Sequence, residues 1–417
     1  MIRSVVNCVF LLCSVCCLYA ADVTVVTDRE DALYSCGEKA GFVISSETET
    51  DCKYTLTLDG KDVIKTGELK ITDDAEVVYG SVEEPGFLRC AVQYKDSDTG
   101  KMKSAVAAAG FDPKKIKPAY DKLTEDFDVF WNEMKRQLSC IPFNIVMEPY
   151  SSDDGVEIVD IKVDCIGKNV SGYYARPIDA KVKSCPAILF VQGAGVYSSR
   201  TGSVKDYASE GFIALEINAH GLSNGQSKEY YSELAKGELQ GYSHWGRESR
   251  YTSYFKGMYL RVVRALEFLK AQPQWDGKVL VVYGSSQGGA QTLAATGLDP
   301  DVNIIAAAVP AMSDHAGKIA GWPRMIPTEG DGSYNKQIAD ASSFFDNVNF
   351  ARKSKAQAIF TVGFIDNVCR PTSVYAVYNT FPNKKEIINE PLMDHKFLPE
   401  HRDVFKQWIL EIIEDIK

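Results

Sequence analysis

Two hydrophobic periodicities divide the chain. In residues 21–109 apolar and polar residues alternate in short runs, as in Tyr-Thr-Leu-Thr-Leu at 54–58, and Asp-Gly at 59–60 follows as a hairpin turn signal. Short strands at regular spacing predict a small β-sandwich of immunoglobulin-like type. This region contains no histidine and no compact carboxylate cluster, so we expect it to support, orient or assemble a catalytic part. The charged, proline-bounded residues 110–118 predict a linker.

Residues 119–417 follow a different pattern. Apolar residues from Leu123 to Leu138 recur at helical spacing, which predicts an amphipathic helix with an aromatic face packed in a core. Further on, short apolar runs alternate with helical patterns, of which residues 254–270 are the clearest. The runs are 187–191, 212–217, 279–282, 304–309, 358–362 and 386–388. Continuous apolar strands alternating with helices predict an α/β domain with a mostly parallel sheet covered on both faces.

The first twenty residues read as a targeting segment. Arg3 is their only charge, residues 9–15 are apolar, and Leu-Tyr-Ala at 18–20 resembles a cleavage site. We therefore predict a secretory signal peptide at residues 1–20 and export to the periplasm or the extracellular space. Cysteines at 8, 13, 16 and 17 leave a lipoprotein as an alternative. No other stretch is long and apolar enough to predict a membrane span.

Charge and cysteine content exclude several classes. The chain has 46 basic and 56 acidic residues, and removal of residues 1–20 takes away one more positive charge. A net negative chain argues against a nucleic-acid partner. Seven cysteines remain, and their wide spacing predicts neither a zinc site nor a dense disulfide framework. Two alternatives remain for these cysteines: a disulfide between Cys90 and either Cys36 or Cys52, or buried free thiols. We expect no metal and no cofactor.

Residues 279–289 hold the most informative motif. A β-branched run ends in Gly-Ser-Ser-Gln-Gly at 284–288, and a helical pattern rich in small residues follows from Gln287 to Leu298. Strand, sharp turn and helix around G-x-S-x-G are typical of a nucleophile elbow in the α/β-hydrolase fold. Glycines flank Ser286 because the strained turn leaves no room for a neighbouring Cβ. We predict that Ser286 is the nucleophile, against the alternative of a simple Gly/Ser turn.

The general base of this fold comes last in the chain, after the final strand. Only His315, His395 and His401 follow the elbow, and His395 has the required position. His315 comes too early for the base, and His401 lies in a predicted terminal helix, where we expect a surface residue.

The acid should follow a late strand, because catalytic loops gather at the carboxyl ends of parallel strands. Asp366 follows the run at 358–362 and is our candidate. Asp394 is adjacent to His395, which disfavours good geometry, and Asp340 and Asp346 lie in a helix-like or loop segment.

Acyl transfer also requires backbone N–H groups that hold the developing oxyanion. We predict that one comes from Gln287, directly after the nucleophile. The second should come from the loop after an earlier strand, and Gln-Gly-Ala-Gly at 192–195 follows such a strand, so Ala194 is our candidate. The alternative for this segment is a glycine turn without function.

These residues resemble carbohydrate esterase family 7, the acetyl xylan esterase and cephalosporin-C deacetylase group. The likeness rests on Tyr-Gly-Ser-Ser-Gln-Gly-Gly at 283–289, on the block at 362–379 that begins Val-Gly-Phe-Ile-Asp-Asn, and on His395. Phe-Asp-Val-Phe-Trp at 127–131 also matches the family's N-terminal helix. The resemblance covers residue 112 to the C-terminus and implies Ser286, Asp366 and His395 as a catalytic triad.

The chain departs from this family in three places. Ala194 stands where an aromatic residue is usual, Asn-Ala-His-Gly at 218–221 replaces an Arg-Gly-Gln-Gly turn, and the N-terminal β-sandwich is an addition. The resemblance implies a serine esterase that deacetylates carbohydrate such as xylan or its oligosaccharides, and that forms homo-oligomers in many members. The alternatives are another acyl hydrolase of the same fold (a feruloyl esterase, carboxylesterase or peptidase) and a non-catalytic carbohydrate-binding surface protein.

Overall fold

The computed structural model describes residues 23–72, 74–317 and 335–416. The segment for which the sequence predicts a signal peptide, residues 1–20, lies outside the described residues. Within those ranges, no helix combines the length and the apolar character that a membrane crossing requires.

Two β-sheets form the N-terminal part. The strands are β1 (Val23–Thr27), β2 (Leu33–Tyr34), β3 (Ala40–Ser46), β4 (Thr50–Leu58), β5 (Asp62–Ile71), β6 (Glu76–Gly80), β7 (Gly86–Lys95) and β8 (Met102–Phe111). One described sheet has the order β1-β3-β6 and the other β2-β8-β7-β4-β5. All pairs are antiparallel except β2 with β8. The alternating strands enclose an apolar core that includes Phe42, Leu56 and Val92, as expected for an immunoglobulin-like sandwich.

The residues predicted as a linker, 110–118, begin inside this sandwich. Strand β8 continues through Gly110 and Phe111, and Phe111 is fully buried in the sandwich core. A short 3-10 helix at Pro113–Lys115 follows, with Pro113 buried. The passage between the two parts of the chain is therefore structured in its first half.

The C-terminal part is built on one large mixed sheet. Its strands are β9 (Ile145–Asp153), β10 (Val156–Val163), β11 (Val170–Pro177), β12 (Cys185–Val191), β13 (Ile213–Ile217), β14 (Trp275–Ser285), β15 (Ile304–Ala308), β16 (Gln357–Gly363) and β17 (Lys385–Glu390). The order within the described residues is β17-β16-β15-β14-β12-β13-β11-β10-β9. The strands from β12 to β17 pair in parallel, and β9 to β11 add an antiparallel edge.

Helices cover both faces of this sheet. They are α1 (Phe127–Ser139), α2 (Gly202–Ser209), α3 (Lys228–Lys236), α4 (Tyr254–Lys270), α5 (Gln287–Leu298), α6 (Lys336–Ser342), α7 (Asn347–Lys353), α8 (Pro371–Thr380) and α9 (Pro399–Ile416). Alternate residues of β12 enter different cores: Leu189 packs in the cluster that includes α1, α4, α5 and α8, and Ile188 in the cluster that includes α2 and α9. This arrangement confirms the predicted α/β-hydrolase fold class.

Helix α1 begins later than the periodicity predicts. Asp126 has a left-handed backbone, with φ of 59°, so the helix starts at Phe127 and Leu123 lies outside it. The aromatic face is buried as expected, and the indole N–H of Trp131 donates to the Phe344 carbonyl at 3.0 Å. Leu123 still packs, partly buried, against the same core.

The seven cysteines of the described residues are free thiols. Cys52 and Cys90 are buried in the sandwich, and Cys36 is partly buried. The alternative of a Cys36 or Cys52 disulfide with Cys90 is therefore not realised in the structure.

Candidate active site

Ser286 lies on a sharp turn between β14 and α5. Its backbone has φ of 57° and ψ of −119°, a conformation that is costly for a residue with a Cβ. A Cβ on Gly284 would lie 2.5 Å from the backbone of Gly288, and one on Gly288 would lie 2.4 Å from the Val191 carbonyl oxygen. Only glycine fits at either flank, so the G-x-S-x-G spacing follows directly from the close backbone packing at this turn.

His395 connects Ser286 with Asp366. The Nε2 atom of His395 lies 2.9 Å from Ser286 Oγ, and its Nδ1 lies 2.7 Å from Asp366 Oδ2. Asp366 is on the loop after β16, and His395 follows β17, so neighbouring parallel strands deliver both side chains to one edge of the sheet. The structure thus brings all three predicted residues into one hydrogen-bonded chain.

The surroundings of Asp366 determine which atoms donate and which accept in these two hydrogen bonds. Its side chain is fully buried, and Oδ1 accepts the backbone N–H groups of Val368 at 2.7 Å and Cys369 at 2.9 Å. With Oδ1 occupied by two donors, Oδ2 is the acceptor for a proton on His395 Nδ1. The Nε2 atom of His395 is then left unprotonated and can accept the Ser286 hydroxyl proton.

The rival carboxylates serve other purposes. Asp346 is fully buried and accepts backbone N–H groups from Asp314, His315 and Val348 at 2.7–3.0 Å, which makes it the N-cap of α7. Asp394 is exposed and pairs with a lysine two residues later at 3.2 Å. Asp340 forms a surface pair within α6.

The two other late histidines are also accounted for. His315 is buried, and its Nδ1 lies 3.2 Å from the Ser342 carbonyl oxygen. The expectation that His401 lies on the surface is wrong. Its side chain is 2% exposed and its Nε2 lies 2.8 Å from Glu390 Oε1, because α9 turns this face toward the end of β17.

Cys369 is a site residue that the sequence reasoning missed. Among the residues that the structure describes, one group of three metal-ligating side chains comes together: Asp366, Cys369 and His395, with ligand atoms within 4.8 Å of one another. Burial, and secondarily the Asp366 carboxylate, raise the pKa of the Cys369 thiol well above its ordinary value, so it is protonated at neutral pH. Because His395 and Asp366 already bind each other, the geometry fits a triad with a neighbouring thiol.

The predicted oxyanion donors both border Ser286. Gln287 is the first residue of α5, and the N–H groups of a first helical turn have no partner within the helix. Ala194 lies on the loop after β12 and lines the same cavity as Ser286. Both residues therefore lie beside Ser286, and their role as oxyanion donors stays a prediction.

His220 holds the loop that carries Ala194, which we call the oxyanion loop (residues 193–195). Its Nε2 lies 2.9 Å from the Gly195 carbonyl oxygen, and its Nδ1 lies 2.7 Å from the Tyr254 hydroxyl. Burial lowers the pKa of His220 to about 4, so the ring is neutral and donates from Nε2 to the carbonyl. The histidine in the 218–221 turn thus supports the oxyanion loop.

A second set of contacts links Gln287 to His220. The Gln287 side chain is fully buried, and its Oε1 accepts the Tyr242 hydroxyl at 2.7 Å. The Tyr242 ring packs edge-on against His220 at 4.6 Å between centroids. Both predicted oxyanion donors are therefore braced by one buried aromatic cluster.

The cavity at Ser286 has a volume of about 410 Å³. Its lining residues are Gly193, Ala194, Tyr197, Arg200, Ser285, Ser286, Val368 and His395. Tyr197 donates its hydroxyl to the Gly193 carbonyl at 3.2 Å, so its ring stands beside the oxyanion loop. A Cβ on Gly195 would meet that ring at 2.8 Å. An aromatic wall is thus present, three residues after Ala194.

Comparisons with known proteins converge on one group. The model of the acetyl xylan esterase (AXE1) family matches residues 114–412. The chain is 31% identical over 396 residues to acetyl esterase Axe7A of Xylanibacter ruminicola, covering 90% of this chain and 88% of the relative. The part of this chain outside the alignment is about a tenth of its length, which is shorter than the region of the N-terminal sheets (residues 23–111). The alignment therefore includes part of those sheets.

Solved structures of two acetyl xylan esterases share the fold. The enzyme from Paenibacillus sp. R4 superposes with a TM-score of 0.63 at 24% identity, over 72% of this chain and 98% of its own. Acetyl xylan esterase 1 from Thermoanaerobacterium sp. JW/SL YS485 gives a TM-score of 0.58 at 21% identity, over 72% of this chain and 97% of its own.

Proposed function

Because the chain belongs to the acetyl xylan esterase family and is a carboxylic ester hydrolase, we propose that it removes acetyl groups from xylan or xylo-oligosaccharides through a serine acyl-enzyme. The observation that carries the mechanism is the hydrogen-bonded series Ser286, His395 and Asp366 at a strained elbow. The family match supports acetylated xylan as substrate, and the name of the Xylanibacter relative, an acetyl esterase, supports the acetyl group.

The reaction begins when Ser286 Oγ attacks the acetyl carbonyl carbon. His395 Nε2 takes the hydroxyl proton, and buried Asp366 stabilises the imidazolium that forms. The N–H groups of Gln287 and Ala194 hold the oxyanion of the tetrahedral intermediate. On collapse, His395 gives the proton to the departing sugar oxygen, and acetate remains esterified to Ser286.

The second half returns the free enzyme. Water enters the space vacated by the sugar, His395 takes one of its protons, and the hydroxyl oxygen attacks the acetyl-serine carbonyl. The same two backbone donors hold the second oxyanion, and proton return to Ser286 releases acetate. Apart from the ester and water, residues of this chain supply the groups that these steps use.

Release of acetate from acetylated xylo-oligosaccharides by the purified chain tests this function. Ser286→Ala should release none. An organofluorophosphate should transfer its phosphoryl group to Ser286 of the wild type, with loss of fluoride, and leave the variant unmodified. A wild type that labels but releases no acetate from the oligosaccharides would keep the mechanism and redirect the substrate to another ester. Equal activity of Ser286→Ala and wild type would overturn the serine mechanism.

We also propose export and self-association. The segment at residues 1–20 supports export to the periplasm or beyond, and mass spectrometry of the processed protein should find Ala21 or a nearby residue at its N-terminus. The family's tendency to form oligomers supports a homo-oligomer. Light scattering of the processed protein measures its mass, and a monomer would contradict this expectation.

A further inference from the structure

The N-terminal sandwich reaches the loop that carries Asp366. We call residues 364–372 the acid loop, since they run from the end of β16 into α8. Three side chains from one end of the sandwich contact this loop: Asp59, Phe87 and Arg89. None of them touches the reacting atoms, so any effect on the chemistry has to act through the loop.

Arg89 binds the acid loop on both sides of Asp366. From its position on β7, its Nη1 donates to the Ile365 carbonyl oxygen at 3.3 Å and to the side-chain oxygen of Asn367. The bonded residues are the immediate neighbours of Asp366 in the chain. A guanidinium anchored at both neighbours restricts the backbone from which the carboxylate projects.

Two further contacts hold the ends of the acid loop. The ring of Phe87 packs edge-on against Phe364 at 4.9 Å between centroids, and it belongs to the core of the large sheet although it comes from β7. At the other end, the Asp59 carbonyl accepts from Arg370 Nη1 at 2.5 Å, and the Asp59 carboxylate accepts the Thr372 hydroxyl. The sandwich therefore touches the loop before, around and after Asp366.

Two cations and one anion lie close together where the sandwich meets the acid loop: Arg89, Arg370 and Asp366. Burial and the nearby Arg370 guanidinium lower the pKa of Arg89, and the Asp366 carboxylate raises it. Two cations placed close together in a half-buried contact are unfavourable unless an anion faces them. The Asp366 carboxylate acts on Arg89 in this sense, although burial and Arg370 keep the pKa of Arg89 below its ordinary value.

We propose that Arg89 is a positioning residue for Asp366, through which the N-terminal sandwich fixes the acid of the triad. This inference rests on the proposed serine mechanism. A small displacement of the carboxylate would lengthen its 2.7 Å hydrogen bond to His395, and misplacement by about 1 Å from a remote change can lower a rate by about 100-fold. Val368 is the only acid-loop residue in the lining of the substrate cavity, so we expect the cavity to keep most of its shape.

Arg89→Met in the full chain, assayed on p-nitrophenyl acetate, is the first test. We expect kcat to fall between about 10-fold and 100-fold with KM within about twofold. Arg89→Lys, which keeps a cation within reach of the loop, should recover most of the loss. The matched control is Arg29→Met, because Arg29 pairs with Glu38 on the sandwich itself, and we expect wild-type kcat there.

A double-mutant cycle with Asp366→Asn separates positioning from general damage. If Arg89 acts through Asp366, then Arg89→Met should cost less than about twofold in kcat once Asp366→Asn is present. An undiminished loss in that background, or wild-type kcat in Arg89→Met alone, would overturn the proposal. Circular dichroism and melting curves must show that each variant is folded.

Asn367→Ala provides the second route if Arg89→Met fails to fold. It removes one of the two acceptors that Arg89 has on the loop and leaves the sandwich intact, so the same cycle should give a smaller loss that is again non-additive. Full additivity of Asn367→Ala with Asp366→Asn would also overturn the proposal. Labelling by the organofluorophosphate distinguishes the two hypotheses. A wild type that is not labelled contradicts the serine mechanism. If the wild type is labelled and Arg89→Met is labelled at the same rate, only the positioning role is contradicted.

Discussion

Asp366→Asn should stop most turnover by imposing the wrong tautomer on His395. Asp366 Oδ1 accepts two backbone N–H groups, so the amide oxygen of the variant keeps that place and the amide nitrogen faces His395 Nδ1. Nδ1 must then accept, and the ring proton moves to Nε2, where it faces Ser286 Oγ. A tautomer change of this kind lowers kcat by about 10⁴-fold in the best-studied triad. At about 1.4 kcal/mol for each factor of ten, the loss corresponds to about 5 kcal/mol of transition-state stabilisation.

The assay measures kcat and KM separately on p-nitrophenyl acetate near pH 8. Asp394→Asn is the control, because that carboxylate adjoins His395 in the chain but is exposed and pairs with a lysine, and we expect a change of less than about twofold. Asp366→Asn activity within tenfold of the wild type would refute the tautomer argument and place the acid elsewhere. Asp346 would be tested next, although its carboxylate already accepts three backbone donors.

Three further outcomes follow from the site and from the sandwich contact. His220→Phe removes both hydrogen bonds of that ring, so kcat on an acetate ester should fall by at least about tenfold. Loss of an oxyanion donor lowers kcat by about 10²–10³-fold, which sets the upper range of this effect. An unchanged kcat would contradict the role of His220 in supporting the oxyanion loop. The ring of Tyr197 beside the cavity predicts that acetate esters exceed butyrate and hexanoate esters in kcat/KM by roughly 10–200-fold, and a hexanoate preference would discard the deacetylase assignment. Burial raises the pKa of Asp59 to about 6, so its ionisation should lower the free energy of unfolding as pH rises from about 4 to about 6. Asp59→Asn should therefore raise Tm relative to wild type more at pH 8 than at pH 4, and an equal shift at both would contradict that sign.

Local features of the site were predictable from the sequence, because they depend on residues that are close together in the chain and on the order of the strands. The flanking glycines of Ser286 are required by contacts within one turn, and the position of Asp366 after a late strand follows from strand order. The α/β fold, the family and the hydrolase class were confirmed. The catalytic roles of the triad residues and of Gln287 and Ala194 stay predictions, and the Ser286 and Asp366 variants test two of them directly.

Long-range packing was not predictable by the same means. Periodicity indicates which face of an element is apolar and does not indicate its partner, so the burial of His401 against Glu390 was missed. The supporting role of His220 depends on a loop 25 residues earlier in the chain. Arg89 and Asn367 are 278 positions apart, and no spacing rule joins them.

The triad members differ in how much support their own elements give. Ser286 is fixed by the elbow, since its backbone N–H donates to the Ala308 carbonyl at 2.9 Å and its carbonyl accepts from the Ala311 N–H at 3.0 Å. Asp366 instead lies on a loop whose sandwich-facing side is held by Arg89. Because no candidate catalytic residue precedes the linker, the sequence alone predicts that a chain beginning near Phe111 keeps its small-ester activity. The sandwich contacts predict the opposite, because such a chain would lose Arg89 and expose Phe364. Its kcat should therefore fall even where Ser286 and His395 remain in place, and an unchanged kcat of the folded truncated chain would contradict this.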